Sequence, residues 1–344
     1  MNKKTAVLLI NIGTPASTSV NDVRNYLFRF LNDKRVIDLP WLLRKLLVNI
    51  IIVPFRARKS AGMYKKLFTD KGSPLLYYQN NLVEKLNRMT SQEIKVYSAM
   101  RYSKPFVSDI LQEIRKQQPD EIVVVPLFPQ YASSTSGSAI SAVYNHIHQW
   151  NVIPAVRSIM FFYAHPSFLN LFSGKIQACN PSEFDHVLFS YHGLPLRQVK
   201  AAHKGISCNE LNCTMELHDE NKYCYLAQCS ETTRLLAEEC SLTENQFSMS
   251  FQSRLGKNWL EPNTGDVLKQ LAQQGKKKVL VVSPSFVTDC LETIVEIGVD
   301  YKELFLQNGG ERLELVESLN DSDLWAEALL DIIKGSQVDL AAKI

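Results

Sequence analysis

Three short stretches carry residues whose types and spacing suit chemistry. In FSYHGLPLR, His192 follows an apolar run and precedes Gly193 and Pro195, so a turn must present its imidazole. Such a group is a base near neutral pH and a ligand for transition metals. In SPSFVTDCLETIVEIG, Asp289, Glu292 and Glu296 are spaced three and four apart, which sets three carboxylates along one face of an α-helix. Asp289 and Glu292 also have the spacing of a capping box, whereas Glu296 lies one turn too far in for that duty. The third stretch, CNELNCTMELHDENKYCYLAQC, holds four of the seven cysteines, Cys208, Cys213, Cys224 and Cys229, spaced Cys-x4-Cys-x10-Cys-x4-Cys. Zinc sites favour tighter pairs, often with histidine, and His203 and His218 are near enough in sequence to take part. Iron-sulfur clusters accept wider spacings. Unligated thiols and disulfides are the remaining readings, and a reducing compartment disfavours the last.

These stretches need strands to hold them. Apolar runs rich in Val and Ile recur between helix-length amphipathic stretches: AVLLINIG, IKVYSAM, IVVVPLF, AVRSIMFFY, HVLFSYHG, FSMSFQS, VLVVSPSF and LELVESL. Continuous apolar strands alternating with helices predict an α/β chain whose parallel sheets are covered on both faces. VLLINIGTP and VLFSYHGLP share Val, Leu, Gly and Pro at equal offsets, which predicts two similar doubly wound domains. Ligands of such sheets bind beyond the carboxyl ends of strands, so chemistry is expected at residues 11–15, 126–138, 190–197 and 283–296. The hydroxyl-rich PLFPQYASSTSGSA offers a helix N-terminus for an anion, but it matches neither the P-loop nor the dinucleotide fingerprint.

At 344 residues, 45% hydrophobic and 21% charged, the chain is globular in composition. Its net charge of +3, without a basic stripe, gives no footprint for nucleic acid. The N-terminal apolar run reads as a buried strand rather than a signal peptide, which predicts a cytoplasmic protein. Residues 39–55, LPWLLRKLLVNIIIVPF, are interrupted by Arg44 and Lys45 and are too short for a membrane span. They read either as a buried helix or as an apolar lip that rests on a membrane or receives a greasy ligand.

LINIGTP, GSPL, LFPQYASSTSGS, FSYHGLP, FQSRLGKNWLEP and DCLETIVEI, in this order over nearly the whole chain, resemble ferrochelatase, the family that inserts ferrous iron into a porphyrin. The resemblance is strongest to Gram-negative bacterial members and implies Fe2+ and protoporphyrin IX as substrates, haem as product, and contact with the inner membrane surface. It implies two Rossmann-like domains, residues 1–128 with 320–344 and residues 129–319, each with a four-stranded parallel sheet, facing each other across an active-site cleft. By its implication His192 and Glu292 handle the metal and the pyrrole protons, and Asp289 and Glu296 extend a track for protons or iron. Arg56, Tyr64, Ser73, Arg101 and Tyr102 match porphyrin contacts. Some members carry a [2Fe-2S] cluster on an internal insertion, here residues 203–229, which implies Cys208, Cys213, Cys224 and Cys229 as its ligands, with Zn2+ or no metal as alternatives. Cys179, Cys240 and Cys290 read as separate buried thiols. Cys290 stands where other members have a second histidine, and Ala57 replaces a common proline, which is expected to loosen a loop. A cobalt, sirohydrochlorin or coproporphyrin chelatase, and a non-catalytic haem or metal sensor on the same fold, are the competing readings. The sensor has no need of two bases.

Overall fold

A computed structural model describes residues 3–203, 205–254 and 256–335. The sequence-based domain limits also take in residues 1–2, 204, 255 and 336–344, which lie outside the described residues. The chain divides into two compact units: residues up to 128 with 133–161 and those from 320 on, and residues 129–132 with 162–319.

In the first unit β1 (Thr5–Asn11), β2 (Ile94–Met100), β3 (Glu121–Pro126) and β4 (Ala155–Ser158) form a parallel sheet in the order β2-β1-β3-β4. Val7 pairs with Val96 on one side and Val123 on the other. Leu8, Ile10, Ile122 and Val124 point from these strands into one core, where Leu111, Ile114 and Val143 of the covering helices meet them. The run AVRSIMFFY is a strand only over Ala155–Ser158, and this strand moves the expected boundary. Because Ile122 pairs with Val156, residues 133–161 belong to the first sheet's unit, not to the second domain. The helix Asp323–Gly335 packs on Pro74–Met89 and buries Trp325 completely.

The second unit repeats the order: β5 (His186–His192), β6 (Phe247–Gln252), β7 (Lys278–Val282) and β8 (Arg312–Leu315) run parallel as β6-β5-β7-β8. Leu188 pairs with Val281, and Val187 pairs with Phe247. The helix Thr264–Gln273 covers this sheet with Leu268, Leu271 and Ala272, and Asn263 caps its start by accepting from the amides of Gly265 and Asp266. β1 and β5, whose sequences echo each other, hold the same place in the two sheets.

Residues 41–67 form a continuous helical stretch, Trp41–Leu46, Leu47–Ile52 and Val53–Leu67, with a π-helical middle. The buried-helix reading of residues 39–55 fails here. Val48, Val53 and Ala57 are buried, but Leu42, Leu43, Leu46, Ile50 and Ile51 are exposed, as are Trp41 at 66% and Phe55 at 80%. One helix face cannot bury that many apolar side chains. Among the described residues no helix is long and apolar enough to cross a membrane. Ala57 lies inside the helix Val53–Leu67, not in a loop, and a proline there would remove a helical hydrogen bond.

Candidate active site and metal-ligating cluster

His192 is the last residue of β5 and pairs with Gln252, the last of β6, so both stand at the carboxyl edge of the second sheet. Its Nδ1 lies 2.7 Å from the Gly193 carbonyl oxygen. A carbonyl only accepts, so Nδ1 carries the proton and Nε2 keeps its lone pair for a metal or a proton. Two contacts fix the backbone around it: the Gly193 amide donates to Gln252 O at 2.8 Å, and the Tyr225 hydroxyl donates to His192 O at 3.0 Å. A Cβ on residue 193 would stand 2.8 Å from Gln252 O, which is why glycine follows the histidine.

Beyond β7 the chain enters a π-helix, Leu291–Tyr301, that carries Glu292 and Glu296. Asp289 precedes it, so the expected single α-helical face of three carboxylates does not form. The capping box is also shifted by one residue. Cys290 is the cap residue, its amide donates to Thr293 Oγ1 at 3.0 Å, and the Thr293 hydroxyl lies 3.1 Å from Asp289 Oδ1. Glu292 is thereby released from capping. The Cys290 thiol hydrogen-bonds the Glu292 carboxylate, and burial, together with that negative charge, raises the thiol pKa so that it stays a donor.

Four donors converge on Glu296. Oε1 accepts from the Ser253 amide at 2.8 Å and the Tyr301 hydroxyl at 3.0 Å, while Oε2 accepts from the Ser253 hydroxyl and, at 3.4 Å, from Gln252 Nε2. Burial first, and the Glu296 charge second, raise the Tyr301 pKa, so its phenol remains a donor. Gln252 is wholly buried and joins the parts: its amide nitrogen also donates to Glu292 O at 3.0 Å, and its oxygen accepts from Ser190 at 2.9 Å and Ser283 at 3.3 Å. Neither Gln252 nor Tyr301 was among the expected site residues. The clue available was their place, at a strand end and one turn beyond Glu296.

The expected porphyrin contacts lie in the first unit. Arg56 is exposed on the helix Val53–Leu67, and Tyr64, near its end, is buried edge-on to Tyr26 and Phe68. Ser73 Oγ is buried without a hydrogen-bond partner among the described residues. Arg101 and Tyr102 are engaged elsewhere: Arg101 reaches Asp33 Oδ2 at 2.8 Å, and the Tyr102 hydroxyl reaches the same oxygen at 2.9 Å. Ser138 donates to it as well, so at least part of the hydroxyl-rich stretch serves a carboxylate rather than an incoming anion. Burial pushes the Asp33 pKa upward, but hydrogen bonds from Ser138, the Arg35 amide and Tyr102, with the Arg101 charge, leave it below the usual value. Sequence reading also missed a cavity of about 560 Å³ on this unit, lined by Arg29, Lys34, Arg35, Arg44, Lys45 and Arg101 around Asp33.

The cysteine window folds into a compact loop. The Cys213 amide donates to Cys208 O at 3.0 Å, and the buried Asn221 side chain donates to Leu211 O and Glu216 O while accepting from the His218 amide. His203, Cys208, Cys213 and Cys224 come together, all four ligand atoms lying within 4.8 Å of one another. Cys229 is not in this group. It sits inside the helix Tyr225–Glu239, fully buried, where its thiol meets the Tyr225 hydroxyl. His218 is spent on Leu211 O at 3.0 Å. The expected four-cysteine set is therefore corrected to three cysteines and one histidine, a donor set that suits a metal. The set is consistent with a single metal ion or with the expected [2Fe-2S] centre. Among the described residues the free cysteines include Cys179 and Cys240, half-buried, apart from the cluster.

The ferrochelatase family model matches residues 4–337. A ferrochelatase of Legionella pneumophila (strain Philadelphia 1) is 41% identical over 328 residues, covering 95% of this chain and 98% of its own. A ferrochelatase of Coxiella burnetii (strain Dugway) is 41% identical over 339 residues, covering 97% of this chain and 94% of its own. Among solved structures, SirB from Bacillus subtilis with Fe3+ aligns at a TM-score of 0.57 and 11% identity, over 99% of this chain and 98% of its own. At that identity the likeness is one of fold.

Proposed function

The chain belongs to the ferrochelatase family, whose reaction is the insertion of iron into protoporphyrin for haem synthesis, and we propose that His192 and Glu292 carry that reaction here. Each turnover brings in one dication and expels two pyrrole protons, so it needs a lone pair that can meet the metal or a proton. The observation that carries the proposal is the Nδ1 contact of His192 with Gly193 O, which leaves Nε2 open. Glu292 supplies a second base, kept out of the helix cap by Cys290 and Thr293. Glu296, held by four donors, is an anchored acceptor along the same helix, and with Asp289 it extends the path for protons or iron. Arg56, Tyr64 and Ser73 take the porphyrin, and the unpartnered Ser73 hydroxyl supports this. Arg101 and Tyr102 serve the same ligand indirectly, by locking Asp33.

The exposed apolar residues 41–55 and the basic cavity beside them support peripheral contact with an anionic membrane surface from the cytoplasmic side. The Cys-rich loop holds a resident metal centre, [2Fe-2S] or zinc, outside the reaction itself. The central test is anaerobic Fe2+ insertion with protoporphyrin IX and coproporphyrin by the parent and His192→Ala. Loss of a general base lowers turnover by about 10²–10⁴-fold. Parental turnover in His192→Ala overturns the assignment.

A further inference from the structure

The loop's ligand geometry distinguishes between the two resident centres. A tetrahedral zinc with Zn–S of about 2.3 Å and Zn–N of about 2.05 Å has edges of about 3.8 Å between sulfurs and about 3.5 Å between sulfur and nitrogen. Here Cys208 Sγ stands 3.5 Å from His203 Nε2 and 3.9 Å from Cys224 Sγ. No pair in the group exceeds 4.8 Å, so the four donors enclose room for one ion rather than two bridged irons. His203 is only 4% exposed and its Nδ1 is buried without a partner among the described residues, a burial that is costly for an imidazole with no ligand. Cys224 is also the cap residue of the helix Tyr225–Glu239, which fixes its place beside Cys208.

We infer that His203, Cys208, Cys213 and Cys224 form a structural Zn2+ site, and that Cys229 is a packing thiol outside it. Loading replaces three thiol protons by one Zn2+, with the three protons released to solvent and no change of oxidation state. The inference deepens the resident-centre reading above and is independent of the assignment of His192 and Glu292.

The test uses the full chain purified anaerobically. Metal analysis and zinc X-ray absorption are expected to give one zinc per chain in a shell of three sulfurs and one nitrogen, with no visible iron-sulfur absorption. Cys229→Ser is expected to keep its zinc, while His203→Ala loses affinity ~100-fold or more in competition against a chromophoric chelator. A visible chromophore with two irons per chain, a four-sulfur zinc shell, or zinc that depends on Cys229 and ignores His203 would each overturn the inference. The spectra of the unmodified chain decide the matter even if a variant fails to fold. Iron insertion measured on the same preparations reports separately on His192 and Glu292.

Discussion

Glu296 is held as an acceptor by donors from two places, Gln252 and Ser253 at the end of β6 and Tyr301 at the end of its own helix. Tyr301→Phe removes one of them without changing the ring, and it is expected to lower kcat by about tenfold while leaving porphyrin KM within twofold. Steady-state insertion kinetics check this, and a change in KM alone would place Tyr301 with the porphyrin instead. A second residue of β5 reports on stability. Burial holds the His186 pKa down at about 4, below its ordinary 6.5, and Nε2 shares a 2.8 Å hydrogen bond with Ser248. Between those values the unfolded chain binds more protons than the folded one, so this contribution is whole above pH 6.5 and is lost as pH falls toward 4. His186→Asn is expected to flatten the fall of denaturation midpoint from pH 7 to 5. The placement of His192 at a strand end, and of Glu292 and Glu296 on the helix beyond a later strand, was legible from the apolar runs that precede them. Gln252 was not, because a buried glutamine at a strand end has no sequence signal separating it from packing. The symmetry of the cysteine spacing pointed to Cys229, whose helix turns it toward Tyr225, while His203 lay just outside that pattern.

Among the elements, the eight strands and their parallel pairing were legible in the runs of Val and Ile, and the echo between β1 and β5 anticipated the repeated sheet order. Strand limits were not, as β4 shows: its apolar run continues beyond Ser158, yet pairing with β3 stops there, opposite Val124. The π-helix Leu291–Tyr301 was read as α-helical, since a change from i−4 to i−5 hydrogen bonding leaves the apolar pattern almost unaltered. Its start depends on Thr293. Thr293→Val keeps the shape and deletes the hydroxyl, so it is expected to cost about 1 kcal/mol in denaturant unfolding. It is also expected to reduce insertion, because Glu292 sits in the first turn that the cap holds. Unaltered stability and unaltered turnover would show that Cys290 suffices as the cap.

For the whole molecule, a modest net charge of +3 conceals a local concentration of basic groups in the first unit, close in sequence to the exposed apolar residues 41–55. Vesicles containing anionic lipid are expected to bind the protein in a salt-sensitive manner, and neutral vesicles less well. Phe55→Ser with Ile50→Ser removes two exposed apolar side chains and is expected to weaken that binding by about tenfold or more. Equal sedimentation of parent and variant with vesicles would exclude this face. The hydroxyl of Tyr225 has a wider consequence. Tyr225 follows Cys224 directly and donates to the carbonyl of His192, so the inferred metal ligand and the proposed imidazole base are joined through one residue. If the loop is loaded as inferred, withdrawing its metal would loosen the peptide that steadies the His192 carbonyl, and scarcity of one metal would be felt in the handling of another.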